Sequence, residues 1–83
     1  MPTVTLYSKP DCPLCDEARQ ALARVAGRVS FDIREIDITS DGELEARLRE
    51  RIPVVALDGE ELFDFHVDEE ALERRVKEGA LTL

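Results

Sequence analysis

The sequence predicts a single α/β domain in which a four-stranded mixed sheet carries helices on both faces. First, 83 residues suffice for one small domain, so residues 1–83 are expected to form one unit. Second, the apolar residues switch between the period of strands and the period of helices in the order β-α-β-α-β-β-α. Third, Asp58-Gly59 is a typical two-residue hairpin turn. The β-α-β start implies parallel strands with a right-handed crossover, and the hairpin adds two antiparallel strands.

The first strand and the first helix have clear limits in the sequence. Residues Thr3–Ser8 alternate apolar and polar side chains, and the breaker cluster Lys9–Pro13 ends that strand. A helix follows from about Cys12 to Ala26, because proline is favoured in a first helical turn and Gly27 is a natural stop. Its apolar stripe has helical spacing and contains Cys15, Ala18, Ala21, Leu22 and Val25.

The middle of the chain predicts a second strand over Val29–Ile38 and then a turn over Asp37–Asp41. Ser40 is a suitable N-cap for a second helix that continues to about Arg51. That helix has a narrow apolar stripe of Leu44 and Leu48.

The last third predicts a hairpin and a final helix. Ile52-Pro53 ends the second helix, because a residue before proline avoids helical angles. Val54–Leu57 is a short buried strand, and Glu60–Phe65 returns at the edge of the sheet. Asp68 caps a last helix that ends at Gly79, with the buried stripe Ala71, Leu72 and Val76.

Composition excludes several classes of protein. Leu, Ile, Val and Phe make up 24 of 83 residues, which is above the level of about 20% at which disorder is expected. No apolar run approaches the roughly 18 residues of a membrane span, and residues 1–9 do not resemble a secretory signal. Acidic residues outnumber basic ones 19 to 11, which disfavours nucleic acid as a partner. We therefore expect a cytoplasmic, monomeric protein.

The most informative motif is Cys12-Pro13-Leu14-Cys15, which contains both cysteines of the chain. A Cys-x-x-Cys motif between a strand and a helix is typical of a redox-active dithiol. Cys12 falls at the helix N-terminus, which favours an anion and should lower the pKa of its thiol. Cys15 lies one turn further on, on the apolar stripe. Cys12 is therefore the candidate nucleophile and Cys15 the candidate resolving thiol, with Pro13 stiffening the turn between them.

Charged neighbours act on this motif in opposite directions. Lys9 could approach the sulfur of Cys12, whereas Asp11 and Asp16 would disfavour a thiolate. Three other interpretations of the cysteines stay open. They could form a purely structural disulfide, bind zinc together with His66, or hold an iron–sulfur cluster shared between two subunits.

Ile52-Pro53 is a second candidate element of the site. A cis peptide bond there would turn the backbone of Ile52 outward, where an extended substrate peptide could pair with it. The local sequence by itself favours an ordinary trans proline that opens an edge strand. His66, the only histidine, is expected to be an exposed loop residue.

The segment Tyr7–Cys15, followed by Ile-Pro about forty residues later, resembles the glutaredoxin and thioredoxin superfamily. The sequence Cys-x-Leu-Cys-Asp-Glu-Ala with a later Arg-Ile-Pro-Val is similar to a small bacterial glutaredoxin-like domain family of uncharacterised function. The resemblance implies a minimal thioredoxin fold, Cys12 as nucleophile, Cys15 as resolving thiol and a cis Pro53. It also implies no bound cofactor, with glutathione as a possible co-substrate.

Three departures from the glutaredoxin pattern concern substrate binding. Leu14 replaces an aromatic residue, and Arg51-Ile52-Pro53 replaces Thr-Val-Pro. Phe65-His66 replaces a Gly-Gly pair that lets the backbone approach glutathione. Lys9 and Arg51 could still meet a carboxylate of glutathione as cations. The expected substrate-binding residues are Lys9, Pro13, Leu14, Arg51, Ile52 and Pro53.

The expected function is that of a thiol–disulfide oxidoreductase in cell redox homeostasis and electron transport. Its partners would be a disulfide-containing protein or a glutathione mixed disulfide, with glutathione or a reductase as electron donor. Two alternatives stay open: a binding or redox-sensing module without turnover, and a metal or cluster carrier.

Overall fold

The computed structural model describes residues 1–81 and confirms the predicted fold class. The elements in chain order are β1 (Thr3–Ser8), α1 (Pro13–Ala26), β2 (Asp32–Asp37), a 3₁₀ turn (Ile38–Ser40), α2 (Gly42–Leu48), β3 (Val54–Leu57), β4 (Glu60–Asp64) and α3 (Glu69–Leu81). Over these described residues, the four strands form one sheet with the order β2-β1-β3-β4. No helix within residues 1–81 is long and apolar enough to cross a membrane.

The sheet is mixed, as the element order predicts. Strand β1 pairs with β2 in parallel and with β3 in antiparallel orientation, and β4 closes the hairpin with β3. Asp58 and Gly59 form the turn of that hairpin, with φ angles of 48° and 89°. Positive φ at both central residues matches the twist of the flanking strands and favours Asp-Gly.

The core lies on both faces of the sheet. Alternate residues of the central strands, such as Leu6 and its partner Val55, face α1 and α3 and pack against Leu22 and Leu72. The next residue of β3, Val54, belongs to a second buried cluster with Ile38, Leu48, Ile52 and Cys15. Because side chains alternate along a strand, α2 covers the face opposite α1 and α3.

The prediction for the second strand is wrong at both of its ends. The strand β2 covers only Asp32–Asp37, not the predicted Val29–Ile38. Phe31 is buried just before the strand, and Ile38 turns into the core where the 3₁₀ turn begins. Ile33 is 46% exposed. β2 is an edge strand in which every residue except the half-buried Ile36 is exposed, and the buried apolar residues Phe31 and Ile38 lie just outside its ends.

The predicted limits of the second helix are also wrong. Asp41 caps α2, not Ser40, because the Asp41 carboxylate accepts hydrogen bonds from the backbone N–H groups of Glu43 (2.9 Å) and Leu44 (3.4 Å). The hydroxyl of Ser40 instead donates to the backbone carbonyl of Asp37 at 2.7 Å. The helix stops at Leu48, before the Arg51 limit that the sequence predicts.

The last helix confirms the predicted start and corrects the predicted end. The Asp68 carboxylate accepts a hydrogen bond from the backbone N–H of Ala71 at 3.1 Å, as an N-cap does. The helix continues past Gly79 to Leu81. Strand β4 ends at Asp64, one residue early, because Phe65 adopts a left-handed conformation with φ 66°.

Candidate active site

The start of α1 is built around Cys12. Cys12 is extended (φ −121°, ψ 101°) and is the N-cap, and Pro13 is the first helical residue. The sulfur of Cys12 accepts a hydrogen bond from the backbone N–H of Cys15 at 3.2 Å. The carbonyl of Cys12 accepts from the N–H groups of Cys15 (3.1 Å) and Asp16 (3.2 Å). The sulfur therefore lies where the first N–H groups of the helix and the helix dipole favour negative charge.

The two cysteines are joined by a disulfide with a Cα–Cα distance of 5.2 Å. Their surroundings differ. Cys15 is only 1% exposed and belongs to the second buried cluster, whereas Cys12 is half-buried and packs against that cluster from outside. An incoming sulfur can thus approach Cys12 more easily than Cys15.

The Ile52–Pro53 segment borders the dithiol, although it lies far away in the sequence. Ile52 and Cys15 are members of the same buried cluster, together with Leu48 and Val54. The Ile52–Pro53 peptide bond is cis, as the resemblance implies and contrary to what the local sequence favours. The carbonyl of Pro53 accepts a hydrogen bond from the backbone N–H of Phe65 at 2.8 Å, which fixes the segment against the end of β4.

The residues that flank the motif are open to solvent. Lys9 and Pro13 are exposed, and Leu14 is half-buried. Within residues 1–81, no ion pair engages Lys9. Asp11, just before Cys12, is exposed and has a left-handed backbone with φ 56°.

Arg51 is engaged by carboxylates of the neighbouring hairpin. Its Nη2 lies 2.6 Å from Oε1 of Glu61 and 3.0 Å from Oδ1 of Asp64, and its Nε donates to Oδ2 of Asp64 at 3.1 Å. These hydrogen bonds, first with Asp64 and then with Glu61, raise the pKa of Arg51 above its usual value. Arg51, which the sequence suggests as a partner for a carboxylate of glutathione, is thus already paired with two carboxylates of the protein itself.

A polar network behind the motif was not predicted from the sequence. The buried hydroxyl of Ser8 donates to Oε2 of Glu35 at 2.8 Å. Arg19 binds the same carboxylate through Nη2 (2.6 Å) and Nε (2.9 Å), and it also binds Asp16 at 2.6 Å. The hydrogen bonds from Arg19 lower the pKa of Glu35, and the bond from Ser8 adds to this effect. The network ties the end of β1 and the start of α1 to β2.

A surface groove of about 350 Å³ lies beside the second turn of α1, between that helix and the segment before α3. We call it the Phe65 groove, and its lining residues are Glu17, Ala18, Gln20, Ala21, Arg24, Phe65, His66, Val67 and Glu69. His66 is exposed there, as predicted. Within the described part of the chain, no group of three or more His, Cys, Asp or Glu side chains is arranged to hold a metal ion.

Comparison with known proteins gives the family. Residues 3–77 match the family model described as Glutaredoxin-like domain (DUF836). An uncharacterised protein of Mycobacterium tuberculosis is 34% identical over 76 residues, which span 86% of this chain and 78% of that protein. An X-ray structure of a structural-genomics target protein from X. campestris is 33% identical, with a TM-score of 0.75 over 90% of this chain and 96% of that one.

A more distant structure shows the fold. A mutant thioredoxin from Halobacterium salinarum is 20% identical, with a TM-score of 0.67 over 93% of this chain and 73% of that one. The chain therefore has a thioredoxin-like fold and belongs to the glutaredoxin-like domain family.

Proposed function

We propose that this protein is a thiol–disulfide oxidoreductase in which Cys12 attacks and Cys15 resolves. The observation that carries the proposal is the asymmetry of the pair. Cys12 caps α1 and is accessible, whereas Cys15 is 1% exposed inside an apolar cluster. A helix N-terminus favours the thiolate, which is the reactive form, and an apolar environment disfavours it.

The proposed reaction has two exchange steps. The thiolate of Cys12 attacks one sulfur of a substrate disulfide, so that a mixed disulfide forms and the other substrate sulfur leaves as a thiolate. Cys15 then loses its proton and attacks the sulfur of Cys12. The Cys12–Cys15 disulfide forms, and the second substrate thiol is released. The substrate gains two electrons, and the protein ends in the oxidised form that this structure contains.

Other parts of the site would bind the substrate. Ile52 packs in the same cluster as Cys15, so the Ile52–Pro53 backbone would form one wall of the substrate groove. Pro13 and Leu14 would form the opposite wall, and Lys9 remains as an exposed cation beside the motif. We propose that no bound cofactor takes part and that glutathione or a reductase returns the electrons. Action as a cytoplasmic monomer belongs to the same proposal.

A turnover assay tests this function. The wild-type protein, with dithiothreitol as reductant, should reduce insulin and a small disulfide faster than dithiothreitol does by itself. Cys12→Ser should lose this activity entirely, and Ser40→Ala, which removes an exposed hydroxyl that donates to the carbonyl of Asp37, should keep it. If the wild type and Cys12→Ser are equally inactive, the oxidoreductase proposal is wrong.

A redox-responsive binding module is the second candidate. The acidic flanks of the motif, Asp11 and Asp16, and the pairing of Arg51 with Asp64 favour it. Such a module would form and lose the Cys12–Cys15 disulfide reversibly without catalysing exchange. A protein that equilibrates with a glutathione buffer but gives no turnover of insulin or of a glutathione mixed disulfide would be such a module.

A further inference from the structure

We propose that the Phe65 groove binds a basic, extended segment next to the disulfide of a protein substrate. This inference rests on the proposed dithiol exchange and adds its substrate class. It assigns Phe65 and Glu17 as specificity-determining residues, with Phe65 contacting an apolar side chain of the substrate and Glu17 pairing with a Lys or Arg.

The groove adjoins both elements that border the dithiol. On one side it is lined by Glu17 and Ala18 of α1, which lie two and three residues after Cys15 along the helix. On the other side Phe65 is held to Pro53 by the 2.8 Å backbone hydrogen bond. The groove is thus linked to Cys15 along α1 and to Pro53 by a hydrogen bond, and we place on it the residues that neighbour a substrate disulfide at Cys12.

Phe65 presents an apolar contact at this surface. Its side chain is 44% exposed, and its φ of 66° is unfavourable for a bulky residue. An exposed side chain on a left-handed backbone contributes little to the stability of the folded state. Such strained conformations cluster at functional sites. Aromatic side chains are also enriched in protein interfaces.

The charge of the groove determines which peptide fits. Arg24, the one arginine of the lining, is bound by Glu69 at 2.9 Å. Within the described residues, the side chain of Glu17, which lines the groove, has no hydrogen bond or ion pair. The net charge of −8 acts in the same direction at longer range. A basic segment is therefore favoured, and an acidic segment is repelled.

The same charges disfavour glutathione, whose tripeptide carries two carboxylates. Arg51 is occupied by Asp64 and Glu61, which leaves Lys9 as the exposed cation next to the motif. The balance of charge near Cys12 thus selects a basic polypeptide over the small anionic thiol.

The test uses single-turnover kinetics with two matched peptide disulfides. Each consists of two short peptides joined by one disulfide and carries a fluorophore and a quencher, so that reduction separates them. In one the residues flanking a central Leu are Lys, and in the other they are Glu. The protein is reduced and desalted beforehand, so that its own dithiol is the only electron source and ends as the Cys12–Cys15 disulfide.

We expect the wild type to reduce the Lys peptide about tenfold faster than the Glu peptide at low salt, and the ratio to shrink in 0.5 M salt. Glu17→Lys should lower the preference about threefold or more. The control Glu45→Lys makes the same change in net charge on the exposed surface of α2, so it should alter the preference much less.

The apolar contact is tested with Phe65→Gly, because glycine accepts the left-handed backbone. This variant should reduce both peptides about tenfold more slowly and a small uncharged disulfide at the wild-type rate. Ile33→Ala removes a similarly exposed apolar side chain from the opposite edge strand β2 and should leave all three rates unchanged.

The outcomes separate this inference from the proposed function. Equal rates for the two peptides, or equal effects of Glu17→Lys and Glu45→Lys, would overturn the inference while leaving dithiol exchange intact. If the reduced wild type reduces neither of the two peptides nor the small disulfide, both this inference and the proposed dithiol exchange are wrong.

Discussion

The sulfur of Cys12 caps α1, whereas the sulfur of Cys15 lies among apolar side chains. The same substitution therefore has different physical consequences at the two positions. A serine hydroxyl is a good acceptor at an N-cap, but it needs a hydrogen-bond partner when it is buried in an apolar cluster.

We predict opposite preferences for Ser and Ala at the two cysteines. Cys12→Ser should be more stable than Cys12→Ala by about 1 kcal/mol, because serine can replace the capping sulfur. Cys15→Ser should be less stable than Cys15→Ala by about 1 kcal/mol, because the hydroxyl is buried. Urea unfolding under reducing conditions measures the free energy of unfolding of the four variants, none of which can form the Cys12–Cys15 disulfide. The same sign at both positions would contradict the assigned environments.

At the residue scale, the sequence predicts the two cysteines of the candidate site but not the pairing of their charged neighbours. Cys12 and Cys15 follow from a local motif, since a Cys-x-x-Cys at a helix start fixes the geometry by itself. The pairing of Arg51 with Asp64 depends on how the β3–β4 hairpin lies against the end of α2. That contact between distant parts of the chain leaves no local signal, so Arg51 looks like an available cation in the sequence.

At the element scale, the start of α2 shows how two valid local signals compete. Ser40 and Asp41 are both good N-cap residues. The choice is made by the 3₁₀ turn, in which the Ser40 hydroxyl already bonds the carbonyl of Asp37. Asp41 is then the next residue with an extended backbone (φ −139°, ψ 111°), and its carboxylate meets the first N–H groups of the helix.

This assignment predicts that Asp41→Ala is more destabilising than Ser40→Ala. Loss of the Asp41 cap should lower the free energy of unfolding by about 1 kcal/mol. Ser40→Ala removes one exposed hydrogen bond and should cost about half as much. Urea denaturation of the two variants beside the wild type measures the difference. A larger loss for Ser40→Ala would support the cap that the sequence suggests.

The strands were predictable to different degrees for a physical reason. β1 and β3 are central and mostly buried, so alternation or a continuous apolar run marks their limits, and both were predicted correctly. β2 is an edge strand with polar side chains, and the apolar residues Phe31 and Ile38 lie outside it. Hydrophobic periodicity alone therefore extends it too far.

At the scale of the whole molecule, ion pairs join elements that are distant in sequence. Arg24 of α1 and Arg28, just after that helix, bind Glu69 and Glu73 of α3, and Arg19 of α1 binds Glu35 of β2. Hydrogen bonds from these arginines lower the pKa values of the three glutamates. The folded protein thus releases protons that the unfolded chain would still bind in acid.

We predict that acid destabilises the protein through these carboxylates. A glutamate whose folded pKa is lowered stabilises the fold above its unfolded pKa of about 4.3. That contribution is lost as the pH falls through the lower folded value. The free energy of unfolding should therefore decrease from pH 6 to pH 3. The free energy of unfolding of Glu35→Gln should decrease less steeply over this range. The difference from the wild type should be at most about 1 kcal/mol, because the Glu35 side chain is partly exposed.

Urea denaturation at several pH values checks this prediction. The control variant Glu45→Gln alters a carboxylate that has no ion pair within the described residues, so its pH dependence should follow that of the wild type. If Glu35→Gln also follows the wild type, the Arg19–Glu35 pair does not contribute to the acid sensitivity.

The most direct test of the proposed reaction is to trap its intermediate by mass spectrometry. Reduced Cys15→Ala, mixed with a peptide disulfide, should retain the mass of one peptide on Cys12, because no resolving thiol is present to release it. Reduced Cys12→Ala should retain little or none under the same conditions, because Cys15 is buried. A stable adduct on Cys15 of Cys12→Ala, with none on Cys12 of Cys15→Ala, would contradict the assignment of Cys12 as the nucleophile.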